Sequence, residues 1–195
     1  MPKNPVLLVH GYLGNGVIYW NVMTYRLRRD GFRCYTLTLP LFAMGDIRVS
    51  AEAVKKKVED IKAETGCRKV NLVGHSVGGL ICRYYIKFLE GVNNVSNYVS
   101  LGTPHHGTYL GYAGWLTTAG RQMVPGSDFL KELNAGEETI GNVKYTSIYS
   151  LTDEAVIPQT NSFLEGAENK VVALCGHLGL LVHPLAYRWT KEALK

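Results

Sequence analysis

No apolar run in this chain approaches the roughly 18 to 20 residues that a helix needs to cross a bilayer, so a membrane-spanning segment is not expected. Cysteine is sparse. Cys34, Cys67, Cys82 and Cys175 are scattered, without a Cys-x-x-Cys pair or a His/Cys cluster at zinc spacing. A domain this size needs no covalent staples, so four free and mostly buried thiols are expected. No added loop is rich in carboxylates or histidines, and no metal is expected. Charge of one sign does not dominate either, since 21 Lys and Arg face 16 Asp and Glu for a net +5. The basic residues are interleaved with acids, as in "AVKKKVEDIKAE", which reads as a solvated helix face and not as a nucleic-acid patch. A cleavable leader is not expected within this sequence, because the first strand-like run, "PVLLVH", begins almost at Met1. A mature secreted form and a cytoplasmic protein would look alike in this respect.

What is present is enough apolar material for one core: 46% of 195 residues are hydrophobic, which suits a single domain over 1–195. Strand-like and helix-like segments alternate throughout, predicting an α/β domain with a mainly parallel sheet of about six strands flanked by helices on both faces. The strands are placed at 5–10, 33–39, 69–74, 97–102, 144–150 and 170–175. Helices are placed near 17–30, 50–64 behind a Ser50 N-cap, 77–90, 105–135 in pieces and 184–194. Sheets of this kind bind ligands beyond the carboxyl ends of their strands, so chemistry is sought just after each one.

After the third strand, "VNLVGHSVGGL" carries Gly74-His75-Ser76-Val77-Gly78. A Gly-x-Ser-x-Gly turn between strand and helix holds its serine in a strained conformation, and its glycines remove side chains that would collide. An ordinary capped turn is the plainer reading, so partner residues must decide. After the first strand, "HGYLG" offers the backbone N–H of Tyr12, which with that of Val77 would stabilise an oxyanion. After the fifth and sixth strands come "LTDEAVIP" and "GHLGLL", placing Asp153 and His177 where they can converge on Ser76. The order Ser, Asp, His is that of hydrolases with this elbow. Glu154 competes with Asp153, which lies nearer the strand end. The other histidines read differently: His10 as a holder of the oxyanion loop, His75 as pointing away from the serine side chain, His105 and His106 as bordering the site, and His183 as a helix-start residue. A dinucleotide-binding reductase is the distant alternative. Gly11, Gly14 and Gly16 are out of order for it, the second strand ends without a ribose-binding acid, and Tyr187 and Lys191 lie too late in the chain to build a substrate site.

Together, "PVLLVHGYLGN", "VNLVGHSVGGL", "VSLGTPHHGT", "YSLTDEAVIP" and "GHLGLL" resemble the small bacterial lipases and esterases of the α/β-hydrolase superfamily, and are most similar to the minimal Bacillus lipase A type. The resemblance spans nearly the whole chain. It implies Ser76 as nucleophile, Asp153 as acid, His177 as base, Tyr12 and Val77 as oxyanion donors, and no cofactor. It further implies acylglycerols or simple fatty-acid esters as substrates, and secretion; a lipid–water interface is a candidate partner, and a monomer is the favoured state. A thioesterase or acyltransferase on the same scaffold is the nearer alternative, because the fold does not fix the acyl acceptor. Two departures stand out: Gly74 replaces an alanine common in the minimal type, and the stretch 104–142 is longer. That stretch is a candidate lid or acyl-pocket segment, with Tyr109, Trp115 and Leu116 as candidate pocket residues and glycines at 107, 111, 114 and 120 as candidate hinges.

Overall fold

A computed structural model describes residues 3–195. Among these residues six strands form one parallel sheet: β1 (Val6–Val9), β2 (Cys34–Leu37), β3 (Val70–His75), β4 (Val95–Leu101), β5 (Lys144–Ser150) and β6 (Glu168–Val172). Their spatial order is β2-β1-β3-β4-β5-β6. All five pairings are parallel, as the run of apolar strands separated by helices predicts.

Side chains alternate across β1 and feed two cores. Leu7 and Val9 pack with Val54, Val58 and Ile61 of α2 (Ile47–Thr65) and with Leu80 and Ile81 of α3 (Val77–Phe88). Val6 and Leu8 pack on the other face with Met23 and Leu27 of α1 (Asn21–Arg29) and with Ala186 and Tyr187 of α7 (Pro184–Ala193). The chain moves outward from β1 to β2 through α1, then back across to β3 through α2. Right-handed crossovers therefore put these two helices on opposite faces. Direction reverses between β1 and β3, so their carboxyl ends flank the crevice where such sheets bind ligands. Val9 is paired with Gly74, which brings the loop after β1 level with the turn after β3.

The remaining helices are short: α4 (Gly91–Asn94), α5 (Thr118–Gln122) and α6 (Asp128–Asn134). The last two, with a 3₁₀ turn at Tyr109–Tyr112, are the pieces expected over 105–135.

Two expectations are corrected. α2 starts at Ile47 and is capped by Asp46, whose carboxylate accepts from Arg48 N at 2.8 Å, while Ser50 is buried inside the helix. An aspartate immediately before buried Ile47 captures a free amide of the first turn, four residues ahead of the serine. β6 begins at Glu168 and ends at Val172, two to three residues ahead of the predicted span. As an edge strand it pairs only with β5, so polar Glu168 and Asn169 are tolerated, and the chain leaves the sheet early to reach the site.

Candidate active site

Ser76 stands between β3 and α3 with φ +56° and ψ −132°, a left-handed backbone that costs a non-glycine residue about 1–3 kcal/mol. The turn is too crowded for side chains beside it. A Cβ at Gly74 would come within 2.6 Å of Gly79 Cα, and one at Gly78 would run into the carbonyl oxygens of Val9 and His10. Ser76 N donates to Leu101 O at 2.9 Å, which locks the strained residue to the end of β4.

His177 follows β6. Its Nδ1 lies 2.8 Å from Asp153 Oδ2 and 2.9 Å from Oδ1, and Asp153 is buried. Asp153 Oδ1 also accepts from Ala155 N and Val156 N at 2.8 and 2.9 Å, which fixes the carboxylate in the loop after β5. With its Nδ1 proton directed at a carboxylate, His177 keeps Nε2 as an acceptor. The loop bearing it is tethered to the β5 loop, since Cys175 N donates to Ser150 Oγ and Thr152 Oγ1 and His177 N donates to Glu154 Oε2 at 2.9 Å. The neighbouring acids are thus separated: Asp153 meets the imidazole, and Glu154 holds the backbone.

Ser76 and His177 line one cavity of about 430 Å³. Tyr12 lines it too, so the structure brings together Ser76, Val77, Asp153, His177 and the loop of Tyr12. Among the described residues the amides of Tyr12 and Val77 donate to no backbone carbonyl. The Tyr12 side chain also matters, because its hydroxyl donates to Thr117 Oγ1 at 2.9 Å and ties the oxyanion loop to the N-cap of α5.

The stretch 104–142 does wall the cavity, but not with the side chains expected. Leu110, Gly111, Ala113, Gly114, Gly120 and Met123 line it, whereas Tyr109, Trp115 and Leu116 do not; they are 59%, 58% and 94% exposed on the outside. The reason is close packing of backbone. A Cβ at Gly120 would overlap the Gly114 carbonyl, so the glycines bring two chain segments into contact and turn the bulky residues outward. These glycines are therefore contact points between packed segments. Phe129 and Leu130 of α6 belong to the core. Backbone hydrogen bonds pin the stretch between 108 and 123: Thr108 N to Met123 O at 2.8 Å, Tyr109 N to Ile157 O at 2.9 Å, and Ala119 N to Met44 O at 3.1 Å.

His10 holds the oxyanion loop as expected, with Nδ1 donating to Gly11 O at 2.8 Å and Nε2 accepting from Leu39 N at 2.9 Å; burial lowers its pKa. His183 caps α7. His105 is buried on Ser100 Oγ, and His106 pairs with Glu138 at 3.5 Å; neither lines the cavity. His75 does not line the cavity, and its ring packs against that of His177, with centroids 4.4 Å apart. Sequence reading missed Tyr19 altogether, although it lines the cavity and contacts His75. Tyr187 and Lys191, the residues of the reductase alternative, both bind Asp30 at the end of α1, and neither lines the cavity. All four cysteines are free. Among the described residues no group of three or more His, Cys, Asp or Glu is arranged to hold a metal ion, and no helix is long and apolar enough to cross a membrane.

Comparison with known proteins agrees with this architecture. A triacylglycerol lipase of Pseudarthrobacter phenanthrenivorans is 36% identical over 112 residues, covering 54% of this chain and 34% of that protein. The chain spans about a third of the length of the curated lipases matched over this stretch. Among solved structures, Aspergillus fumigatus lipase B superposes with a TM-score of 0.88 at 23% identity, over 98% of this chain and 52% of that one. The mature form of a Bacillus licheniformis lipase gives 0.81 at 21% identity, over 100% of this chain and 93% of that one. A family model described as the alpha/beta hydrolase fold matches residues 4–115, from β1 through the serine turn and β4 into the cavity wall, and the chain belongs to that family.

Proposed function

We propose that this protein is a serine carboxylic-ester hydrolase acting on acylglycerols or simple fatty-acid esters through an acyl-enzyme. The observation that carries the reading is the strained Ser76 sharing a cavity with His177, whose Nδ1 rests on buried Asp153. In this mechanism His177 Nε2 takes the Ser76 hydroxyl proton as Oγ attacks the ester carbonyl, and Asp153 stabilises the resulting imidazolium. The amides of Tyr12 and Val77 receive the oxyanion, each donor being worth about 3 kcal/mol in such sites. The tetrahedral intermediate collapses, the alcohol leaves with the proton from His177, and Ser76 keeps the acyl group. Water, deprotonated by His177, then attacks the acyl carbonyl, and Ser76 departs with its proton restored.

A fatty-acyl substrate fits the wall. Leu110, Ala113, Met123, Ala155, Val156 and Leu178 give the cavity a mainly apolar lining. Outside it, Tyr112, Trp115 and Leu116 remain exposed, a patch suited to a lipid–water interface. The relatives named triacylglycerol lipases support the same substrate class.

The test is a set of p-nitrophenyl esters of graded chain length with a fluorophosphonate probe. The wild type should hydrolyse the esters and label at one site; Ser76→Ala should lose both. Labelling that persists at another serine would sink the assignment.

A further inference from the structure

Tyr19 and His75, separated by 56 positions in sequence, meet beside the candidate triad. Tyr19 Oη lies 2.6 Å from His75 Nδ1, and His75 Nε2 lies 3.0 Å from the carbonyl oxygen of His177. These two contacts fix the protons. A carbonyl can only accept, so Nε2 carries the hydrogen; Nδ1 is then an acceptor, and the tyrosine hydroxyl donates to it. The other side of Tyr19 faces the oxyanion loop: a Cβ at Gly11 would come within 2.6 Å of the phenol oxygen. Burial pushes the tyrosine's pKa up. His75 is fully buried, and desolvation, then the neighbouring His177, hold it far toward the neutral form.

We propose that Tyr19 and His75 are positioning residues that tie the Gly11–Tyr12 loop to the main chain of His177, holding the oxyanion donor and the general base in one register. The inference rests on the reading of Ser76 as nucleophile and deepens it. Two apolar rings would fill the same space without losing water, whereas a buried phenol and imidazole must recover their hydrogen bonds from one another. Here the recovered bonds run from one half of the site to the other. His177 has to serve two proton transfers, from the serine and to the leaving group, and a displacement of about 1 Å in such a group can cost on the order of a hundredfold in rate. Its side chain is held by Asp153 and its amide by Glu154, and His75 takes the remaining main-chain group, the carbonyl.

Steady-state kinetics on p-nitrophenyl acetate test this with Tyr19→Phe, His75→Phe, their double variant and His75→Gln. Each phenylalanine variant should lower kcat about tenfold, the factor set by one ordinary hydrogen bond, with KM within about twofold. The double variant should fall little further, because the pair acts as a unit. His75→Gln, whose amide N–H can reach the His177 carbonyl, should recover part of the loss. An unchanged kcat accompanied by a lower Tm would make the pair simple packing and overturn the proposal. A raised KM at constant kcat would make Tyr19 a wall of the pocket and overturn it equally. If His75→Phe does not fold, Tyr19→Phe and His75→Gln decide by the same criteria. Failure of the functional reading looks different: it would show as activity retained by Ser76→Ala.

Discussion

Asp153 and Glu154 are neighbours with the same chemistry, yet the turn after β5 sends one carboxylate to the imidazole of His177 and the other to its amide. The two contacts differ in what they require. An imidazole that becomes a cation needs a partner that remains an anion and accepts from Nδ1; a backbone amide needs only an oxygen. Asp153→Asn can donate its NH₂ to Nδ1, favouring the wrong tautomer, and lacks the charge that stabilises the imidazolium; it should reduce kcat by about 10⁴. Glu154→Gln keeps an acceptor oxygen and should stay within about twofold of wild type, while Glu154→Ala releases the loop and should lose about tenfold. Measured kcat values for the three variants check the ranking. An equal loss in Asp153→Asn and Glu154→Gln would mean that the two carboxylates share the charge role.

At the scale of elements, the segment from the 3₁₀ turn at Tyr109–Tyr112 through α5 presents small residues inward and large ones outward. Leu116 is 94% exposed, which costs the folded chain nothing if that face meets lipid. Leu116→Ser should leave hydrolysis of dissolved acetate esters and the Tm unchanged, yet slow hydrolysis of emulsified long-chain esters about tenfold, the partitioning lost with one leucine side chain. A loss on both substrates would instead place Leu116 in the cavity. That inward and outward arrangement was not legible in the sequence. Residues 104–117 have neither a period of 2 nor one of 3.6, so nothing local says which way Trp115 points. Regular elements were legible because burial on both sheet faces leaves an unmistakable apolar run: β5 falls on the predicted 144–150 to the residue, and Asp153 and His177 lie just past strand ends as expected. The Tyr19–His75 contact escaped for a different reason. It is created by the pairing of β1 with β3, which sets the turn at 75 beside the start of α1, and no spacing along the chain encodes it.

Across the whole molecule, histidine burial sets a pH limit on stability. His10, His75 and His105 are all buried, and desolvation comes first among the causes that lower their pKa values below 6.5. The second cause at His75 is His177, and at His105 it is Arg83; each disfavours a proton further. The sign follows from the unfolded chain, in which the same imidazoles titrate near 6.5 and take up protons that the folded protein refuses. Below that pH the unfolded state binds more protons, so stability falls as the solution is acidified; above it the three histidines contribute no slope. Each one adds at most about 1.4 kcal/mol per pH unit. Urea unfolding at pH 7.5, 6.5 and 5.5 should therefore show a flat upper range and a falling lower one. His105→Gln removes one titrating group away from the cavity, and should make the fall between pH 6.5 and 5.5 shallower even if it lowers stability at pH 7.5. A stability that is constant down to pH 5, or a slope unchanged by His105→Gln, would show that these histidines take up protons inside the folded protein.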